Sequence, residues 1–374
     1  MATSPNEPFS AIICHPPTFT ASGVPTPSWK FASKTLTLPR SPAPKELQIR
    51  VLATGICHTD LVVSSAPPPY ANYPVVLGHE GAGIVEAVGE GVTVAKPGDK
   101  VLLSYSYCDA CELCKYGKSK AWCEEFSPQN VAPIEGMFQN GEEKVRGKYF
   151  GQSSFAARTL VNEVSVVNVS RMVETEEELK LLAPLGCGIM TGAGNMQNVL
   201  KVGERDVVLV TGLGGVGLGG VMAAKARGAK AIVVVDRVKS RLELAKELGA
   251  THKIKEVTAG LRIAYALETS GVTKIAEQAV LAVGHRGHVA VVGVAPPTES
   301  VSLPNAEMMR RSKTLSNNVL GDSNAADMVP LLIRWWREGK LPLEKLVKFF
   351  KAEDFEAVLH GMHDGSVIKP VLVW

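Results

Sequence analysis

The sequence predicts an α/β protein in which an irregular antiparallel β-barrel precedes a doubly wound parallel sheet. Three observations carry this expectation. The chain has 374 residues, more than one ordinary core accommodates, so two domains are the default. From residue 9 to about 105, short β-like runs are broken by Pro and Gly. After Cys187, strand-like and helix-like runs alternate, the signature of parallel strands joined by helices.

In the first part, Ala11-Ile12-Ile13-Cys14 reads as a strand with a buried thiol. Leu47-Gln48-Ile49-Arg50-Val51 alternates apolar and polar residues with the period of a half-buried strand. Gly83 to Val88 and Val101 to Ser104 are weaker examples, and Pro67-Pro68-Pro69 is one of many interruptions. In the second part, Val207-Val208-Leu209-Val210 suits a strand buried on both faces. A glycine loop and a helical Val221 to Arg227 follow. Ala231 to Val235 is the next strand, and Lys239 to Leu248 is a helix closed by Gly249. Strands at Ala264–Leu267 and His288–Val292 flank a helical Thr273 to Val283. The tail reads as a helix (Ala325 to Glu338), a strand near Leu346 to Phe350, a helix (Asp354 to His363) and a strand (Val367 to Val373), returning to the first domain.

Composition excludes several function classes. Hydrophobic residues make up 45% and charged residues 21%, the balance of a globular protein. Net charge is +3 with Lys and Arg dispersed, so nothing points to nucleic acid or a membrane surface. The densest basic group, Lys115, Lys118 and Lys120, reads as a solvated loop face. No apolar run approaches the roughly 18 residues of a membrane span. Met1 to Pro8 is polar with no signal-peptide core after it, and Val371-Leu372-Val373-Trp374 carries no peroxisomal address. A cytoplasmic location is expected, which disfavours disulfides and leaves seven cysteines to be explained otherwise.

Six of them fall into two metal-ligand patterns. Cys57 in Gly55-Ile56-Cys57-His58-Thr59-Asp60, His79 in Gly78-His79-Glu80, and Cys187 in Gly186-Cys187-Gly188 supply two thiolates and one imidazole, a set that suits Zn²⁺. Three protein ligands leave a fourth position for water or substrate, which marks a catalytic ion. Glu80 can be a transient fourth ligand or an outer carboxylate, and Asp60 can accept the second ring N–H of His79. Thr59, two residues from a ligand, can carry a hydroxyl proton away. The other pattern is Cys108-x₂-Cys111-x₂-Cys114-x₈-Cys123, four thiolates that close a tetrahedral structural zinc site. An iron–sulfur cluster can use similar ligands, but hydride chemistry has no need of one.

The glycine loop is Gly212-Leu213-Gly214-Gly215-Val216-Gly217. The motif alone is weak, but here it follows a buried strand and opens a helix, the context for binding a dinucleotide pyrophosphate. Asp236 ends the next strand, placed to accept hydrogen bonds from ribose hydroxyls and to repel a 2′-phosphate. NAD is therefore favoured over NADP, with Arg237 keeping the alternative open. An open Lewis acid beside a dinucleotide implies hydride transfer at an oxygen-bearing carbon.

These motifs resemble the zinc-dependent medium-chain alcohol dehydrogenases. The likeness runs from about residue 9 to 374 and rests on GICHTD, GHEGAGIVEAVGEGV, the four-cysteine lobe, FGQSSFA at Phe150 to Ala156, GCGIMTG, the glycine loop and IKPVL. It is greatest to the benzyl or aryl alcohol dehydrogenase-like branch, which includes enzymes of fungal metabolite pathways. The resemblance implies a GroES-like catalytic domain, 1–188 with 319–374 returning to it, around a Rossmann domain at 189–318. It implies two zinc ions and NAD per chain, and a homodimer or homotetramer. Cys57, His79 and Cys187 match catalytic zinc ligands and Thr59 the start of a proton relay. His58 and Lys369 match positions near the pyrophosphate, and Arg241 one near the adenosine ribose. Thr191, Val292 and Val294 match the nicotinamide surroundings, and Ser104, Tyr149, Phe150 and Val319 the substrate side.

Three departures stand out. Val62 replaces the histidine that ends the relay in many relatives, so the last transfer to solvent needs His58, a ribose hydroxyl or water. Eight residues separate Cys114 from Cys123 instead of seven. Only eight residues separate Lys253-Ile254-Lys255 from Ala264, too few for a crossover helix. A short turn is expected there, or else 253–255 is not a sheet strand. The expected function is reversible oxidation of a primary alcohol, aromatic or allylic, to its aldehyde with NAD. The alternatives are a zinc- and NAD(H)-binding biosynthetic enzyme that reduces a double bond or catalyses a non-redox step, and a non-catalytic relative.

Overall fold

A computed structural model describes residues 6–18, 29–67, 71–117, 119–253, 262–296 and 298–374. They gather into two units, Met1–Cys187 with Leu343–Trp374, and Gly188–Pro342. The tail rejoins the first unit at Leu343, later than the 319 expected, because helix Ala325–Arg337 groups with the second unit.

In the first unit, strand Glu46–Gly55 organises one sheet. It pairs antiparallel with Gly81–Val88, with Arg158–Asn162 and with Lys369–Val373. Leu47, Ile49, Val51, Val85, Val101 and Leu103 form a core beneath it. The alternation in Leu47 to Val51 suggested a half-buried strand, yet Gln48 is only 2% exposed. The polar face is covered too: Gln48 donates to Glu86, and Arg50 reaches Glu176 on the short helix Glu176–Leu181. Strand Val347–Lys351 continues the sheet in parallel with Lys369–Val373. A second sheet contains Phe9–Cys14, where Cys14 is fully buried and its thiol is pushed up to about 12, first by burial and then by the Asp60 charge. It also contains a hairpin, Ile134–Asn140 with Glu143–Gly147, that the sequence did not announce.

The second unit holds six parallel strands among the described residues, in the spatial order His252–Lys253, Ala231–Val235, Val207–Thr211, Tyr265–Glu268, His288–Val291 and Thr314–Asn317. Val207, Leu209, Val233, Ala266, Val280 and Val289 pack its core. The helix after the glycine loop begins at Gly215, six residues before Val221; the glycines in its first turns, of low helix propensity, concealed that start in the sequence. His252 and Lys253 pair with Val233 and Val234, so Lys253 is in a sheet strand. The expected turn after it lies in 254–261, outside the described residues. No helix among the described residues is long and apolar enough to cross a membrane.

Candidate active site

The first unit brings four residues together from three distant segments. The ligand atoms of Cys57, His79, Glu80 and Cys187 lie within 4.8 Å of one another. Each segment arrives from a different local device. Strand Glu46–Gly55 ends just before Cys57, which caps helix His58–Ser64. The Cys57 N–H donates to Asp60 Oδ2 at 2.9 Å, so the helix start is fixed by the same carboxylate that supports the imidazole. Asp60 Oδ1 lies 2.9 Å from His79 Nδ1 and accepts from the Gly78 N–H at 3.2 Å. Cys187 follows a 3₁₀ turn, Ala183–Gly186, and precedes helix Gly188–Gly194.

The chemistry of this donor set fits a zinc ion. With His79 Nδ1 engaged by Asp60, Nε2 is the ring nitrogen left for a metal, and it is buried with no hydrogen-bond partner among the described residues. Cys57 is held well below its ordinary value, first by its hydrogen bond with Cys187, against burial, with His79 and Lys369 adding positive charge. Cys187 is pushed well up by the same bond, by burial and by the Cys57 charge. The two thiols thus compete for one proton, and a dication would displace it.

Glu80 is fully buried, and its partner is Lys369, whose Nζ lies 2.7 Å from Oε1 and 2.5 Å from Oε2. Burial raises the carboxyl most, and Lys369 pulls it back down. The ammonium also donates to Ile56 O at 3.1 Å. Gly55 makes this possible, since a Cβ there would stand 2.0 Å from Glu80 Oε2. Phe150 stacks on His79 with centroids 4.6 Å apart, and Tyr149 meets it edge-on at 5.7 Å. Phe150 holds a left-handed backbone (φ 50), a cost borne beside the imidazole. The wholly buried Tyr149 hydroxyl has no hydrogen-bond partner among the described residues.

Cys108, Cys111, Cys114 and Cys123 form the other cluster, with sulfurs also within 4.8 Å of one another. Backbone N–H groups point at them: Ala110 and Cys111 donate to Cys108 Sγ at 3.4 and 3.3 Å, and Cys108 N donates to Cys123 Sγ at 3.3 Å. The Ala110 and Cys111 donors bring Cys108 down to about 7. The eight-residue gap therefore does not prevent the four thiols from converging. Lys120 leaves the expected solvated face and ties the lobe, donating to Asp109 at 2.6 Å and Cys114 O at 2.5 Å.

In the second unit, Gly212 has φ +82 and its N–H donates to Val235 O. A Cβ on Gly217 would lie 1.9 Å from Gly212 O, whereas one on Gly214 would meet nothing within 4 Å. The loop is thus closed on its inner side and open at Gly214, where backbone faces the twelve-residue helix Gly215–Ala226, a cradle suited to a pyrophosphate. Asp236 is engaged on both oxygens: Oδ2 accepts from Leu213 N at 2.6 Å and Oδ1 from Val238 N at 2.7 Å. Thr269 Oγ1 supports the loop from below, on Thr211 O and Gly212 O.

The remaining expected positions are spread more widely. Thr59 Oγ1 lies 3.7 Å from Cys57 Sγ, and His58 beside it is exposed. Lys369 matched a pyrophosphate position, but it is 3% exposed and turned to Glu80. Ser104 matched the substrate side, but its hydroxyl donates to Gly186 O. In the second unit Thr191 is buried, Val292 and Arg241 are half-buried, and Arg237, Val294 and Val319 are exposed. Reading the sequence assigned nothing to Gln152, whose buried amide contacts the His79 and Ser104 backbone. Its only signal was a large polar residue within FGQSSFA. It likewise missed that Asp236 pins the glycine loop.

Family models for an alcohol dehydrogenase GroES-like domain and for a zinc-binding dehydrogenase match residues 43–171 and 215–335. The chain is 35% identical to geraniol dehydrogenase of Castellaniella defragrans over 349 residues, covering 89% of this chain and 92% of that one. It is similar to the structure of an alcohol dehydrogenase zinc-binding domain protein from Burkholderia ambifaria, with TM-score 0.87, 36% identity and coverage of 97% and 99%. It is also similar to benzyl alcohol dehydrogenase from Acinetobacter calcoaceticus, with TM-score 0.84, 37% identity and the same coverage.

Proposed function

The chain belongs to the zinc-dependent medium-chain alcohol dehydrogenase family, and from that premise we propose that its substrate is a primary aromatic or allylic alcohol, oxidised reversibly to the aldehyde. It is a zinc- and NAD-dependent oxidoreductase acting between alcohol and aldehyde. The observation that carries the reading is the convergence of Cys57, His79, Glu80 and Cys187 within 4.8 Å. Relatives named for geraniol and benzyl alcohol support a carbinol carbon next to an sp² carbon, as do the Tyr149 and Phe150 rings packed on His79.

When bound, zinc supplies Lewis acidity that lowers the proton affinity of the alcohol oxygen, and NAD supplies the hydride acceptor. Cys57, His79 and Cys187 hold the ion, while Asp60 fixes the imidazole and Lys369 restrains Glu80. Cys108, Cys111, Cys114 and Cys123 hold a structural ion and order their lobe. Thr59 takes the alcohol proton at Oγ1 as its own proton passes on. The exposed His58 carries it to solvent, since Val62 offers no base. Tyr149 and Phe150 keep water from the imidazole. Gly212, Gly214, Gly215, Val216 and Gly217 cradle the pyrophosphate, with Asp236, Arg237 and Arg241 at the adenosine ribose. Thr191, Val292 and Val294 border the nicotinamide. A cytoplasmic homodimer or homotetramer completes the proposal, supported by seven thiols outside any disulfide and by exposed Val272, Leu281 and Met309.

The test measures bound zinc and nicotinamide absorbance against saturated, benzylic and allylic alcohols. Cys57→Ala is expected to lose about one zinc per chain and nearly all turnover. Full activity in that variant would refute the assignment.

A further inference from the structure

Gln152 and Ser104 are uncharged, are not of metal-ligand type, and are 0% and 1% exposed. Both polar atoms of the Gln152 amide are engaged. Nε2 donates to His79 O and to Ser104 O, both at 3.0 Å, and Oε1 accepts from Gly81 N at 3.0 Å. This pattern fixes the amide orientation, because a flipped amide would set its oxygen against two carbonyls. Ser104 continues the line: its Oγ donates to Gly186 O at 2.6 Å. Gly186 has no room to retreat, since a Cβ there would lie 2.0 Å from Leu103 O.

We propose that Gln152 and Ser104 form a neutral positioning bridge, from the His79 carbonyl to the carbonyl preceding Cys187, that sets the spacing of these two metal ligands. The proposal rests on the zinc reading given above. Asp60 and Glu80 also support the centre, but each changes its charge when altered. The Gln152–Ser104 bridge controls geometry alone. Buried polar groups with every partner satisfied hold a single arrangement, and loss of one partner leaves a carbonyl unpaired. An outer support of a metal ligand typically changes metal affinity by about 10–100-fold.

The full-length protein is loaded with Co²⁺ at the Cys57–His79–Cys187 centre, and its ligand-field and thiolate-to-cobalt bands are recorded with metal affinity. Ser104→Ala and Gln152→Leu, neither of which adds a charge, are each expected to shift these bands and weaken the metal by about 10–100-fold, leaving the four-cysteine ion in place. The double variant is expected to be no weaker than the weaker single variant, because both interrupt one bridge. Folded variants with parent bands and affinity would overturn the proposal, even if their thermal stability fell. So would strictly additive losses. Should Gln152→Leu not fold, the bands of Ser104→Ala decide alone. Failure of the zinc reading is distinguishable: the parent protein itself would bind no metal that Cys57→Ala removes.

Discussion

Lys369 Nζ stands 2.5 Å from Glu80 Oε2, a buried ion pair whose carboxylate lies with the thiols and imidazole that would hold the metal. Desolvation of both partners limits what such a pair adds, but removing one partner leaves an uncompensated buried charge. Lys369→Met is expected to destabilise the zinc-loaded protein by about 3–5 kcal/mol in urea unfolding. Combining it with Glu80→Gln should recover part of that loss. No recovery would mean the two residues are not coupled.

Asp236 is held by the Leu213 and Val238 N–H groups, so it shapes the glycine loop in addition to the ribose contact proposed for it. Asp236→Ala should therefore do two things. It should cost the protein without nucleotide about 1.5–3 kcal/mol, the range for hydrogen bonds to a charged group. It should also raise the NADP to NAD ratio of kcat/KM. A shift in cofactor preference with unchanged thermal unfolding would leave the loop-pinning role unsupported.

Cys111→Ser addresses the four-cysteine lobe. The variant is expected to hold one zinc fewer, to retain initial turnover and to inactivate faster on warming, because the lobe orders itself around the ion. Metal analysis with a thermal-inactivation time course is the check. Immediate loss of turnover would place that lobe in the chemistry.

Glu46 gives a pH-dependent prediction far from either metal cluster. Burial opposes ionisation, but hydrogen bonds from Arg40, Lys148 and the Ala43 N–H overcome it and lower the carboxyl from 4.5 to about 2. The folded value lies below the unfolded one. The stabilisation is therefore complete above about pH 4.5 and disappears as pH falls towards 2, with a magnitude of about 3 kcal/mol. Glu46→Gln should flatten that acid limb in denaturant titrations at stepped pH. An unchanged limb would assign acid lability elsewhere.

What the sequence made legible was what is local. Cys108 to Cys123 and Gly212 to Gly217 carry their chemistry in spacing, so their roles could be read before any coordinates. Cys57, His79 and Cys187 were legible through their neighbours, since Asp60 is three residues from Cys57 and three-dimensionally beside His79. Gln152 was not, because its partners at 79, 81 and 104 are remote and an amide has no characteristic spacing. The hairpin at Ile134–Gly147 was missed because its apolar side is only partly buried, with Ile134 50% exposed. The Lys369–Glu80 pair was not legible either, because nothing in the IKPVL motif reveals that Gly55 leaves room for Glu80 to take the ammonium.

The return of the chain at Leu343 has a kinetic consequence. Lys369 and Glu80 are 289 positions apart, and the whole of the second unit is threaded between them. Strand Lys369–Val373 can dock on Glu46–Gly55 only after that excursion, so assembly of the first unit carries a large loop-closure penalty and should be slow. A fragment ending at residue 187 would keep Cys57, His79 and Cys187, yet would expose an open strand edge and leave Glu80 without its cation. Such a fragment should aggregate rather than behave as a miniature metalloprotein.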